Sequence, residues 1–160
     1  MMTHLSYKVI AQLQEKTLVT AESCTGGGIG AALTAVPGSS RVFKGGIISY
    51  TNWVKENLLG VDANVLEQFG AVSEPVAKMM ADGVRKNLSA DVAVSITGLA
   101  GPDGDEYGNP VGTVYIGYAD NSECFARKFH FYGDRESVRE QGITAALELV
   151  LEQQTLCEKK

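Results

Sequence analysis

The run TLVTAESCTGGGIGAAL, residues 17–33, constrains this chain more than any other stretch. Its first five residues read as a buried strand, and three consecutive glycines then require a tight loop and a closely packed helix start. The loop sets a hydroxyl, Ser23, beside a thiol, Cys24. A helix entered through Thr25, Gly26, Gly27 and Gly28 points backbone N–H groups at whatever lies in front of it, a phosphate or the oxyanion of an acyl-transfer intermediate. One segment thus offers a nucleophile and an anion cradle.

The rest of the composition narrows the setting. At 160 residues, the length predicts a single domain over 1–160 with a core of its own. A net charge of −5 without a basic block argues against a nucleic-acid partner. No apolar run reaches membrane-spanning length, and the N-terminus reads as an amphipathic helix rather than a signal peptide. Three cysteines without a C-x-x-C pair fit a reducing cytoplasm.

Periodicity predicts a helix through Leu5, Val9, Ile10 and Leu13, strands over 17–21 and 46–50, and a small-residue helix over 26–36. Helices follow over 52–59, from Asp62 to Phe69, and from a Ser73 cap to about 87. Further strands are expected over 91–97, 111–119 and 124–131, the last two joined by a hairpin at 120–122. A long helix from 135 to about 154 precedes a frayed tail. Early alternation of helix and strand, with a late hairpin, predicts an α/β fold: a three-layer α/β/α sandwich around a mixed, mostly parallel sheet. Sites in such sheets form at the carboxyl ends of strands, here after 21, 50 and 97.

Several constellations fail on supply or spacing. Residues 26–31 match a dinucleotide-type glycine pattern, but four residues separate it from the strand and no acid closes strand two, so packing glycines are the simpler reading. A Ser-His-Asp triad or a metal site lacks histidine: His4 is near the terminus and His130 lies mid-strand. Asp103, Asp105 and Glu106 lack the spacing of a calcium loop and read as solvated turn residues. If Ser23 is a nucleophile, its base must then be something else.

A lysine can serve if its pKa falls from ~10.4 to ~7–8, which needs a partly dry pocket and ~4 kcal/mol of destabilisation of the ammonium. Lys55 follows strand two directly; the plain alternative is a surface helical lysine. Lys44 precedes that strand and is expected at the opposite end of the sheet. Tyr50 sits where strand two ends, either to position a proton or as a rim aromatic. Ser23 and Cys24 are adjacent, so only one is expected to face the cleft.

Six ordered blocks carry a family resemblance: AESCTGG from Ala21, GSSRVFKGGIISYTNWVKENLLGV from Gly38, GAVSEPV from Gly70, SITGLAGPDG from Ser95, PVGTVYIG from Pro110 and GDRESVRE from Gly133. Over about 5–152 the chain resembles the CinA C-terminal domain, the nicotinamide-nucleotide amidase family, and looks like its stand-alone form. The resemblance implies hydrolysis of nicotinamide mononucleotide to nicotinate mononucleotide and ammonia, with Ser23 and Lys55 as the catalytic pair, Tyr50 in support and Thr97 as a further active-site position. It also implies no metal or organic cofactor, a homodimer and the three-layer fold. Many relatives carry Lys where this chain has Asn109.

On that reading, N–H groups near Thr25, Gly26 and Gly27 hold the oxyanion, and the loop through Gly98 and Ala100 walls the pyridine ring. Arg135 and Arg139, four apart on one helix face, are candidates for the substrate phosphate, with ion pairing to Glu136 or Glu140 as the alternative. Ser39 and Ser40 are further phosphate candidates or plain turn residues. Two other classes stay open: a non-catalytic nucleotide-binding or regulatory module, and an amidase for another small amide.

Overall fold

A computed structural model describes residues 2–160. Five strands, β1 (Leu18–Glu22), β2 (Phe43–Ile48), β3 (Val92–Gly98), β4 (Thr113–Ala119) and β5 (Cys124–His130), form one sheet in the order β2-β1-β3-β4-β5. β1 pairs in parallel with β2 and β3, while β4 is antiparallel to both β3 and β5. Only β4 therefore runs against the others, and the expected mixed sheet is present.

Side-chain parity on the strands separates two cores. Leu18, Val94, Ile96, Val114 and Ile116 face α1 (Met2–Gln12), α2 (Gly28–Thr34) and α6 (Arg135–Glu158), meeting Val9, Leu33, Leu147 and Val150. Val19, Ala21, Ala93 and Ala119 face the other way, onto Leu59 of α3 (Asn52–Leu59), Leu66 of α4 (Ala63–Phe69) and Met80 of α5 (Glu74–Asn87). This is the three-layer sandwich. Small residues on the second face let α5 approach closely: Ser95 Oγ donates to the Ala77 carbonyl at 2.6 Å, and a Cβ on Gly117 would run into that same carbonyl. Burying each large apolar side chain of these cores stabilises the fold by about 1.5–3 kcal/mol.

Boundaries differ from expectation where backbone geometry overrides pattern. α2 begins at Gly28 rather than 26, because Gly26 and Gly27 are left-handed, with φ of 59° and 102°. β2 ends two residues early, which leaves Ser49 and Tyr50 free to turn into the site. Ser73 precedes α5 but does not cap it; its hydroxyl donates to the Gly70 carbonyl at 2.8 Å. The tail expected to fray from Cys157 instead belongs to α6 as far as Glu158. Asp62 caps α4 as expected, accepting from Asn64 N at 2.7 Å.

Topology decides what meets at each end of the sheet. The carboxyl ends of β1, β2, β3 and β5 lie together, joined by the loop that enters β4. α6 starts just beyond β5, so its first turns reach this same end.

Candidate active site

Ser23 sits one residue past β1. Its N–H extends the ladder by donating to Ile96 O at 3.0 Å, and its carbonyl accepts from Gly26 N at 3.1 Å. The turn is thereby pinned on both sides of the nucleophile. Ser49, past β2, donates its N–H to Glu22 O at 2.8 Å, which brings the start of α3 alongside. Thr51 caps that helix through Val54 N, and Lys55 points inward from its first turn.

Lys55 is 1% exposed. Its Nζ lies 3.1 Å from Ser23 Oγ and 2.7 Å from the Ser49 carbonyl. Among the described residues it forms no ion pair with a carboxylate. Burial disfavours the ammonium and lowers the pKa from 10.5 to about 8, the neighbouring Cys24 acting in the opposite sense. An amine needs this to act as a base near neutrality. The Ser49 carbonyl accepts from the amine, and the Ser23 hydroxyl at its other contact is within proton-transfer reach.

Cys24 also borders the cavity, so the expectation that only one of the two neighbours faces it is too strict. Their environments differ, however. Cys24 belongs to the apolar core, and burial pushes its thiol up to about 11. A thiol that stays protonated is a poor nucleophile.

Sequence reading missed Glu22. This carboxylate is 2% exposed and fills the entry to α2: Oε1 accepts from Thr25 Oγ1 and Ile29 N, both at 2.7 Å, and Oε2 from Gly30 N at 3.0 Å and Thr20 Oγ1 at 3.1 Å. The anion cradle expected for a ligand is thus occupied by the protein's own anion. Strand parity was the available signal, since it turns Glu22 onto the α2 face. The amides of Gly26 and Gly28 are also taken, by Ser23 O and Thr25 O, whereas those of Thr25 and Gly27 donate to no carbonyl or side chain among the described residues.

The cavity in front of Ser23 has a volume of about 310 Å³. Tyr50, Thr97, Gly98, Ala100 and Arg135 all line it, as sequence reading requires. Tyr50, however, is 59% exposed and does not orient the lysine; its hydroxyl accepts from Arg135 Nη2 at 3.2 Å. Thr97 does not donate to Ser23. Its hydroxyl donates to Ala71 O at 2.9 Å and keeps only acceptor capacity. Arg135 also donates to Gly101 O.

Arg139 lies behind the turn rather than on the cavity wall, donating from Nε to Cys24 O at 3.0 Å and from Nη2 to Thr25 O at 3.1 Å. Neither arginine ion-pairs with Glu136 or Glu140 among the described residues.

The remaining candidates fall elsewhere. Ser39 and Ser40 form a short 3-10 turn ahead of β2, at the far end of the sheet. Lys44 is there too, donating to Ser89 O at 3.4 Å. His130 lies at the β5 edge against Tyr132, with ring centroids 4.7 Å apart. Asp105 is a loop staple that accepts from Tyr107 N and from Asn109. Asn109 ties that loop to Val72 O at 3.1 Å. Among the described residues no group of three His, Cys, Asp or Glu side chains could hold a metal ion.

Comparison with known proteins bears on the family and the fold. The family model of the CinA C-terminal domain matches residues 2–154. A CinA-like protein from Thermosynechococcus vestitus is 50% identical over 147 residues, 90% of this chain and 35% of the relative. One from Rippkaea orientalis is 52% identical over 136 residues, 83% of this chain and 33% of the relative. The chain thus spans about a third of the length of the curated relatives it matches. A crystal structure of a competence-damaged protein (CinA) superfamily protein from Klebsiella pneumoniae superposes with a TM-score of 0.94 at 33% identity, covering 97% of this chain and 98% of that one. A competence/damage inducible protein from Agrobacterium tumefaciens gives 0.90 at 36% identity, covering 94% of each chain. With its fold, its blocks and nearly its whole length matched, this chain belongs to the CinA C-terminal domain family.

Proposed function

We propose that this domain is an amidohydrolase that converts nicotinamide mononucleotide to nicotinate mononucleotide and ammonia. One observation carries the reading: a buried amine, without a carboxylate partner among the described residues, lies 3.1 Å from Ser23 Oγ, at a cavity with a guanidinium on its wall. In the first half-reaction neutral Lys55 takes the Ser23 proton as Oγ attacks the carboxamide carbon. Lys55 then gives that proton to the departing amine, the C–N bond breaks and ammonia leaves an ester on Ser23. In the second, water adds to the ester with Lys55 as base. The C–Oγ bond breaks and the proton returns to Ser23.

The residues around the cavity and in the turn beside it take complementary roles. The Thr25 and Gly27 amides hold the oxyanion, a contribution of about 3–4 kcal/mol per donor. Thr97 accepts from the carboxamide N–H, and the loop through Gly98 and Ala100 flanks the ring. Arg135, whose acceptors here are all neutral, takes the phosphate, with Tyr50 holding it in place. The reading includes a homodimer in the cytoplasm acting on a small-molecule mononucleotide, with no cofactor, nucleic acid or membrane as partner. No described helix is long and apolar enough to cross a membrane.

Ammonia release from nicotinamide mononucleotide, set beside free nicotinamide, tests the proposal. Turnover of the nucleotide with little of the free amide supports it. Mononucleotide binding by calorimetry without turnover rejects it in favour of a binding module, and equal rates on both compounds reject the phosphate site.

A further inference from the structure

We propose that Arg139 is a positioning residue that aims and polarises the oxyanion-binding amide of Thr25 from behind the nucleophile turn. This rests on the Ser23/Lys55 reading above and replaces the phosphate role expected for Arg139.

The geometry is that of a planar peptide. The Cys24–Thr25 bond is trans, so the Cys24 carbonyl and the Thr25 N–H point in opposite directions. Arg139 Nε holds that carbonyl at 3.0 Å, and its Nη2 holds the next carbonyl, Thr25 O, at 3.1 Å. Two donors on one rigid fork fix two successive peptide planes. The first fixes the Thr25 N–H, which has no acceptor among the described residues and, opposite the Cys24 carbonyl, points away from the Arg139 guanidinium. The second fixes the Gly26 N–H, which closes the turn on Ser23 O. A cation at the carbonyl end of a peptide also draws charge from its N–H and strengthens it as a donor, an effect that a neutral hydrogen bond supplies only weakly. Gly26 and Gly27 are left-handed and carry no side chain to pack, so the arginine acts together with the bonds from Gly26 N to Ser23 O, from Gly28 N to Thr25 O and from Thr25 Oγ1 to Glu22 in holding the turn.

Two variants test this, Arg139→Gln and Arg139→Lys, with nicotinamide mononucleotide and separately with 4-nitrophenyl acetate as acyl donor to Ser23. The expected result for Arg139→Gln is a kcat lower by about 30- to 300-fold on either donor with KM within about threefold. Arg139→Lys, which keeps the charge, should recover part of that loss. A raised KM for the nucleotide with kcat unchanged would overturn the proposal and restore Arg139 to phosphate binding. An unchanged kcat and KM would overturn it outright.

The ester arm separates this from the substrate assignment: a wild type that acylates Ser23 with the ester but ignores the nucleotide rejects only the nucleotide, and one that does neither rejects both. Should the variants unfold, wild-type protein titrated with pyridine-3-boronic acid decides the matter. A downfield move of the Thr25 amide proton supports the proposal, and a stationary one overturns it.

Discussion

The two ends of the sheet each bury a polar network, and the networks differ in how completely they are satisfied. At the far end, Tyr118 is fully buried, donates to Asp120 Oδ2 at 2.8 Å and accepts from Gln154 Nε2 at 2.7 Å, while Gln154 Oε1 accepts from Lys16 at 2.9 Å. Burial raises the tyrosine pKa, reinforced by Asp120. Burial alone would raise that carboxyl too, but donors from Ser122, Tyr118 and Glu123 hold it below the usual range. Each member has a partner suited to its resting charge state, so nothing there is poised to react. At the carboxyl end, Lys55 has one carbonyl and one hydroxyl and, among the described residues, no anion to hold its proton. The lesson is that burial alone does not distinguish structure from chemistry; a missing counter-charge does.

Substitutions at the two ends should therefore fail in opposite ways. Ser23→Ala should lower ammonia release by 10⁴-fold or more, while thermal unfolding moves by less than about 1 kcal/mol. Activity that survives would transfer the chemistry to Cys24. Lys55→Met should be nearly as inactive, yet no less stable than wild type by more than about 2 kcal/mol. Removing the ammonium relieves ~3 kcal/mol of desolvation, from the fall between 10.5 and about 8, against ~1–3 kcal/mol for an unpaired Ser49 carbonyl. Denaturant unfolding measures the balance.

pH gives the next largest effect. Lys55 must be neutral to act, so kcat/KM should climb about tenfold per pH unit and level off near 8. The same shift makes folding pH-dependent. Between about 8 and 10.5 the unfolded chain holds a proton that the native state has released, so Lys55 adds stability as pH rises through this window. Lys55→Met should abolish that slope. At the far end, Tyr118→Phe should remove about 1–3 kcal/mol of stability, as Gln154 and Asp120 lose their shared partner, and leave kcat/KM within twofold.

Much of this was legible from residue order alone. Ser23 and Lys55 follow neighbouring strands, and parallel pairing of those strands puts both at one end; Lys44, before β2, falls at the other by the same logic. The hydrophobic periods that define two faces of the sheet likewise place the helices in two layers. What stayed hidden acts through the backbone. Glu22 takes the amides that a glycine-rich helix entry advertises to a ligand, and no spacing rule separates an internal carboxylate from a bound phosphate. Arg139 reaches carbonyls 115 and 114 residues away, a contact that carries no side-chain signature at either end. Tyr50 and Thr97 are on the cavity wall, but their partners, Arg135 and Ala71 O, depend on where loops and helix ends settle in three dimensions.

The state of the Lys55 amine is the centre of the account, and ¹⁵N detection of its Nζ across a pH titration reads it directly. A midpoint near 8, with the Ser23 hydroxyl environment changing in step, is the predicted result. A midpoint at the ordinary lysine value above 10 would mean that the amine stays charged where the protein works, and the Ser23 mechanism would lose its base.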